Sequence, residues 1–362
     1  MGGFFGDAPP RARGGTQGPY LRLLLTVMAI VSLAAGLVLG LSTVLPDLGG
    51  RDPARDRIAE GVTVGHGDIW VDLGGLDRYQ ATGALEDVAA DLTVLPRNAY
   101  LDRSTGGVVP AVEGRRLDVA ATVARSLQAA PGEAVPFVFF PVPPAVTLAD
   151  FPQAPVFHAD PAKKAVAIIL NIAWGDEHLD LICRLVEEAG GRLTICPVGS
   201  WLEGSEARAA WLKEAAARGH EIGNHGYYNR PMTYTDPQQV RDEIRAAADL
   251  IEKACGRRPV IFAPPMGERS GTMLKAAAEE GCRTVIWSLD TVDWRLEGVE
   301  VIARRVVSRV RAGDIILCHP TPQTGPAMER FLPVLAEKGL RIVTVSELLS
   351  PALPDGEGGP AG

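Results

Sequence analysis

Cysteine is scarce in this chain. Its 362 residues include five, Cys183, Cys196, Cys255, Cys282 and Cys318, an odd number with no Cys-x-x-Cys pair. That argues against a disulfide framework or a structural zinc knuckle, and isolated buried thiols are expected instead. Cys318 stands beside His319, yet no cysteine-hydrolase pattern surrounds it. Positive charge is also short. Lys and Arg number 36 against 44 Asp and Glu, a net charge of -8, which argues against a nucleic-acid partner. The expected partners are neutral or of mixed charge. What is present is core: 46% of residues are hydrophobic and 22% charged, enough chain for an anchor and two domains.

Charge is absent altogether from Leu23 to Leu45, "LLLTVMAIVSLAAGLVLGLSTVL". As a helix this run is about 34 Å long, enough to cross a bilayer. Arg11, Arg13 and Arg22 precede it, and Asp47, Arg51, Asp52 and Arg55 follow. The positive-inside rule then puts residues 1–22 in the cytoplasm and the rest of the chain outside. A cleaved signal peptide would have a shorter apolar core and a small-x-small site, and "STVLPDLGG" is a poor one. The expectation is therefore an uncleaved single-pass anchor at 23–45 in the cell membrane. A Gly/Pro-rich linker follows at 46–61, and a disordered tail is expected at 351–362.

Two folded regions are expected between linker and tail. In 62–155, "DIWVDL" and "VPFVFFPV" read as strands, and "DRYQATGALEDVAADL" and "DVAATVARSLQAA" as helices, an α+β domain. In 163–350 strand-like and helical runs alternate. The strands are "AVAIIL", "RLTICPV", "HEIGNH", "PVIFAP", "RTVIWSL", "DIILCHP" and "RIVTVS". The helix "DPQQVRDEIRAAADLIEKACG" shows both its ends, with Asp236 as N-cap, Pro237 at the first position and Gly256 as stop. Its Val240, Ile244, Ala247 and Ile251 form one apolar stripe. Repeated β–α units imply an α/β fold with a parallel sheet, open or closed into a barrel.

In such sheets chemistry sits at the carboxyl ends of the strands. Here those ends read Asn171 with Trp174, Asp176 and Glu177, then His225 before "GYYNRP", then "PMGE", then Asp290, Asp293 and Trp294, then His319. One such residue is ordinarily a cap or a core histidine; five strand ends together make a site.

The same residues carry a family resemblance. Residues 163–350 resemble a NodB-homology polysaccharide deacetylase (carbohydrate esterase family 4), within it the sporulation-associated YlxY-like branch. "GHEIGNHGYYNRP", "FAPPMGE", "WSLDTVDW" and "GDIILCHPT" resemble the family's second to fifth motifs. The resemblance implies a distorted (β/α) barrel of about seven strands and removal of N-acetyl groups from a cell-wall sugar. The small α+β domain before it resembles the peptidoglycan-binding domain that accompanies VanW-like proteins. The family mechanism it implies uses a zinc held by one Asp and two His, a second Asp as base, and a His that protonates the leaving amine.

Against that pattern this chain has gaps. The family's first motif, Thr-Phe-Asp-Asp, is replaced by Ile169-Leu170-Asn171-Ile172. Asn171 thus stands where the base is expected and Ile172 where a metal ligand is expected. Asn229 replaces the second metal His, Ala263 the Arg that partners the base, and Pro320 the Asp after His319. Three readings stay open. A rewired hydrolase of C–N non-peptide amide bonds would use Asp176 or Glu177 as base, His319 as acid, Asp290 and Asp293 nearby, and a divalent metal, zinc or similar, on His225 and Asp176. A catalytically silent binder would hold cell-wall glycan with Asn171, Trp174, Tyr227, Asn229 and Trp294, aromatic faces stacking on sugar rings. A membrane-tethered scaffold is the third. Asp176 and Glu177 could also cap the helix that follows them.

Overall fold

The computed structural model describes residues 57–232 and 236–352. The expected anchor at 23–45, residues 1–22, the linker as far as residue 56 and most of the expected tail lie outside the described residues; the rest of the expected linker is folded, with Ile58 buried in the core of the first region. Among those described, no helix is long and apolar enough to cross a membrane.

The first region is α+β, as expected from its mixed patterns. Its elements are β1 (Thr63–His66), β2 (Ile69–Asp72), α1 (Arg78–Leu92), β3 (Tyr100–Leu101), β4 (Val108–Val109), β5 (Gly114–Leu117), α2 (Val119–Ser126), β6 (Ala134–Pro136) and β7 (Phe139–Val142). They form a three-stranded sheet in the order β2-β1-β6 and two antiparallel pairs, β3 with β4 and β5 with β7. The run "VPFVFFPV" is two strands rather than one. Pro136 lacks the N–H that a continuing ladder needs, and beyond it β7 pairs with β5 instead of β1. Asp77 caps α1 in a reciprocal capping box with Gln80.

The second region alternates as its sequence does. It runs β8 (Ala165–Ile172), α3 (Leu179–Glu188), β9 (Thr194–Pro197), α4 (Gly199–Leu202), α5 (Glu206–Ala217), β10 (Glu221–Ile222) and α6 (Pro237–Cys255). It continues through β11 (Ile261–Phe262), α7 (Gly271–Glu279), β12 (Arg283–Thr284), β13 (Leu289–Asp290), α8 (Val299–Val307), β14 (Ile315–Cys318), α9 (Thr324–Glu337), β15 (Arg341–Val343) and α10 (Val345–Leu349). Six strands make an all-parallel sheet in the order β10-β9-β8-β14-β13, with β15 also on β8. β11 and β12 form a separate parallel pair. Single bridges extend the pairing, Asn224 to Phe262 and Val156 to Val285. "RTVIWSL" therefore begins on β11 and ends on β14.

β8 is the centre, and every one of its eight residues is buried. A fully buried parallel strand reads as an unbroken apolar run, which is what "AVAIILNI" is, apart from Asn171. Its two faces enter different cores. Ile168, Leu170 and Ile172 pack with Leu179, Ile182 and Val186 of α3 and with Phe331 and Leu335 of α9. Ala165, Ala167 and Ile169 pack with Ala263, Val285, Ile315 and Leu317. Alternation along the strand puts Asn171 on this second face.

Helix α6 forms as its ends predict. Asp236 accepts from the Gln238 N–H, Pro237 opens the helix, and Gly256 closes it at φ +74°. Val240, Ile244, Ala247 and Ile251 are its buried stripe. Further ties cross the unit from Ile58 onwards. Arg97 pairs with buried Asp160 at 2.8 Å, and the buried Lys163 ammonium donates to the carbonyls of Ser350 and Ala352.

Candidate functional site

The sheet register brings the expected residues to one end. Cys318 lies opposite Leu170, which sets His319 next to Asn171 one step on. Asp290 lies opposite Leu317, and the His225 N–H bonds the Pro197 carbonyl, Pro197 being opposite Ile172.

The best-organised part is built on Asp293, which is wholly buried. Its Oδ1 lies 2.7 Å from His319 Nδ1. Its Oδ2 accepts from the His319 N–H at 2.7 Å and from the Thr324 hydroxyl at 2.8 Å. Thr321 and Thr324 hydroxyls are 2.7 Å apart. This web fixes the ring of His319 and leaves its Nε2 outermost. Trp174 stacks on the ring, with centroids 5.6 Å apart and planes 11° from parallel.

His225 is buried, its Nδ1 2.6 Å from the Ala263 carbonyl. Burial lowers its pKa to about 4, against the opposing pull of the Ala263 bond and with help from the charge of His319. The ring is therefore neutral at physiological pH. Linkage fixes the sign of a stability effect. An unfolded His keeps a pKa near 6.5, so below it the unfolded state binds more protons. Stability from this group is full above pH 6.5 and falls by about 3 kcal/mol as pH drops to 4. Urea titrations across that window should show the loss, and His225→Gln should remove about that amount of it. Buried His220, bonded to the Leu193 N–H and to Glu187, shifts in the same direction, so only the difference between the two proteins reports on His225.

Asp290 is half-buried. Burial pushes its carboxyl above the usual range, opposed by a hydrogen bond from the Val292 N–H at 2.8 Å. Asn171 is 2% exposed, and its Oδ1 has no hydrogen-bond partner. An unmet buried acceptor of this kind costs about 1–3 kcal/mol.

Asp176 and Glu177 sit elsewhere than their expected roles require. Asp176 Oδ1 accepts from Trp201 Nε1 at 2.8 Å and Oδ2 from Arg208 Nε at 3.0 Å, so both oxygens are engaged away from His225. The backbone N–H of Glu177 itself, and then that of Asp176 at 3.1 Å, hold the Glu177 carboxyl below the usual range. Neither caps the following helix: His178 occupies the N-cap position of α3, without a side-chain cap bond. Among the described residues no three His, Cys, Asp or Glu side chains are grouped to hold a metal. The zinc pattern that the resemblance implies does not fit, because Ile172 faces the helix core and Asn229 brings no imidazole.

The aromatic residues form the rim. Trp174, Tyr228 and Trp294 are each close to half exposed, and the Arg295 guanidinium lies 4.9 Å from the Trp294 ring centroid. Tyr227 is more enclosed. The Glu203 carboxylate beside its hydroxyl pushes its pKa up to about 12, and its ring packs on Gly199 and edge-on to Tyr228. Asn229 is partly buried beside them. Three non-glycine residues near these strand ends, Met266, Val292 and Leu296, have φ between +54° and +59°. Such backbone costs about 1–3 kcal/mol each and collects at functional sites. Sequence reasoning missed Thr321, Thr324 and the Ala263 carbonyl, whose roles arise only through long-range contact.

Comparison with known proteins gives the family. A family model described as polysaccharide deacetylase matches residues 158–285. The protein YlxY of Bacillus subtilis (strain 168) is 30% identical over 261 residues, 72% of this chain and 81% of its own. The chain belongs to the polysaccharide deacetylase family. A peptidoglycan-N-acetylglucosamine deacetylase of Bacillus cereus is 37% identical to this family member over 144 residues, 38% of this chain and 67% of its own. The crystal structure of a wild-type CE4 family pseudoenzyme from Bacillus anthracis superposes with a TM-score of 0.68 at 28% identity, covering 76% of this chain and 97% of that one. This chain is thus deacetylase-like in fold and in motif order, with an altered site.

Proposed function

We propose that this member of the polysaccharide deacetylase family binds N-acetylated or related cell-wall glycan without hydrolysing it by the family's metal route. One observation carries this: the strand end that should offer a base and a metal ligand offers Asn171 and a core-facing Ile172. The carboxylate available to replace them, Asp176, is held by Arg208 and Trp201. What survives suits recognition. His319 is fixed by Asp293, and Trp174, Tyr228 and Trp294 offer exposed ring faces at the rim. An aromatic face packs against the apolar side of a pyranose.

The same reading extends to architecture. The bridges from Asn224 to Phe262 and from Val156 to Val285 support reading the sheet as the distorted (β/α) barrel of the family. Residues 62–155, with exposed Trp70 and Tyr79, serve as a further peptidoglycan contact of the VanW-associated type. Residues 23–45 anchor the chain in the cell membrane and leave residues 46–362 extracytoplasmic, where the wall is; a role in sporulation belongs with this reading.

The test is cosedimentation of the full chain with purified peptidoglycan, alongside acetate release from the same material. Retention of the protein without acetate above background is expected, and replacing both Trp174 and Trp294 by Ala should weaken retention about tenfold, ~1.4 kcal/mol. Acetate release lost on His319→Ala, or no retention of the wild type, would overturn the reading.

A further inference from the structure

The inner part of the site is rich in hydrogen-bond acceptors. Asn171 Oδ1 is buried and unmet. His225 adds a second acceptor. A carbonyl cannot donate, so the Nδ1 that lies 2.6 Å from the Ala263 oxygen carries the ring proton, and Nε2 is left as a bare lone pair. His319 repeats the arrangement, its Nδ1 turned to the Asp293 carboxylate and its Nε2 free. Asp290 supplies a carboxylate of which one oxygen is bonded to the Val292 N–H. These four residues lie at adjoining strand ends. Arg305 also faces Asp290, but it is taken up by the Thr291 carbonyl and by Glu297.

An acetamide fits such a lining poorly. It offers one N–H and a carbonyl oxygen, and that oxygen would meet further acceptors where the family supplies a metal. A primary ammonium fits well, with three donors, no acceptor and a positive charge opposite Asp290 and buried Asp293. The single acetamide N–H can meet one of these acceptors, whereas the ammonium can meet Asn171, His225 and Asp290 together.

Resting on the glycan-binding reading above, we propose that this site recognises the free amine of a de-N-acetylated amino sugar, not the acetamide that deacetylases consume. The protein would then read the product of an amide-hydrolysing reaction carried out on the wall by another enzyme. Asn171 and Asp290 determine the preference, and Trp174 stacks beside the bound ring.

Calorimetric titration of the full chain with a fully deacetylated glucosamine tetramer and with its fully N-acetylated counterpart tests this. Chelator is present throughout, and the pH is about 6, where the amine is charged. The amine form is expected to bind at least about tenfold tighter. Asp290→Asn keeps an acceptor for the Val292 N–H and should abolish most of that ratio. Asn171→Leu removes an unmet polar atom, so it should fold as well as the wild type and also lose the ratio. Equal or tighter binding of the N-acetylated tetramer overturns the amine preference while leaving glycan binding intact. Binding of neither overturns both readings. A ratio unchanged in both variants overturns the assignment to these residues.

Discussion

Ile172→Asp, the substitution that writes the family's metal carboxylate back into the strand, should cripple the fold and bind no metal. Ile172 is wholly buried, in a cluster with Leu179, Ile182, Val186, Phe331 and Leu335, under α3 and α9. The new carboxylate would lose that packing and would enter an apolar layer with no donor to meet it. Loss of a buried Ile side chain alone costs several kcal/mol, and burying an unpaired charge adds to it, so a total of at least about 4 kcal/mol is expected. The measurement is the urea midpoint of Ile172→Asp against wild type, with zinc content after dialysis. Adding Asn229→His should not rescue it. Near wild-type stability with one zinc retained per chain would mean that Ile172 does not hold the helix-facing position described above, and that the site is a dormant metal centre.

The position of that side chain shows what the sequence could and could not say. The strand at 165–172, the ends of α6 and the apolar stripe between them are local patterns, and they appear where spacing and capping residues put them. The grouping of His225, Asp290 and His319 at one sheet end follows from the parallel β–α rhythm, which the sequence displays openly. The fate of Asp176 does not. Its partners, Trp201 and Arg208, belong to α4 and to the cap region of α5, and no local rule links them to the turn after β8. Nor could spacing separate Asp290 from Asp293. They are three residues apart and equally acidic, yet one is half-buried with a raised pKa and the other is wholly buried and bonded to His319. The family pattern names positions, whereas alternation along this strand decides which face each one serves.

Asp293 is the residue on which the remaining order of the site depends. Each of its oxygens is an acceptor: Oδ1 for His319 Nδ1, Oδ2 for the His319 N–H and the Thr324 hydroxyl. Asp293→Asn is isosteric but has a single acceptor oxygen. If its oxygen takes the His319 N–H and the Thr324 hydroxyl and its N–H₂ donates to His319 Nδ1, the amide keeps all three contacts but forces the ring proton onto Nε2, so about 1–2 kcal/mol should be lost with the charge-assisted bonds. Asp293→Ala removes all the bonds together and should cost about 3–5 kcal/mol. In Asp293→Ala His319 loses its fixed orientation and in Asp293→Asn its Nε2 becomes a donor, so in both glycan retention should fall more than it does in Thr324→Val, where a single hydroxyl is removed. A double-mutant cycle with His319→Ala separates the pair from the rest of the web, and a coupling of about 1–3 kcal/mol is expected. If Asp293→Ala melts within ~0.5 kcal/mol of the wild type, the difference ordinary for a surface substitution, then the carboxylate is not the buried, triply bonded hub, and the orientation of His319 must come from the Trp174 stack alone.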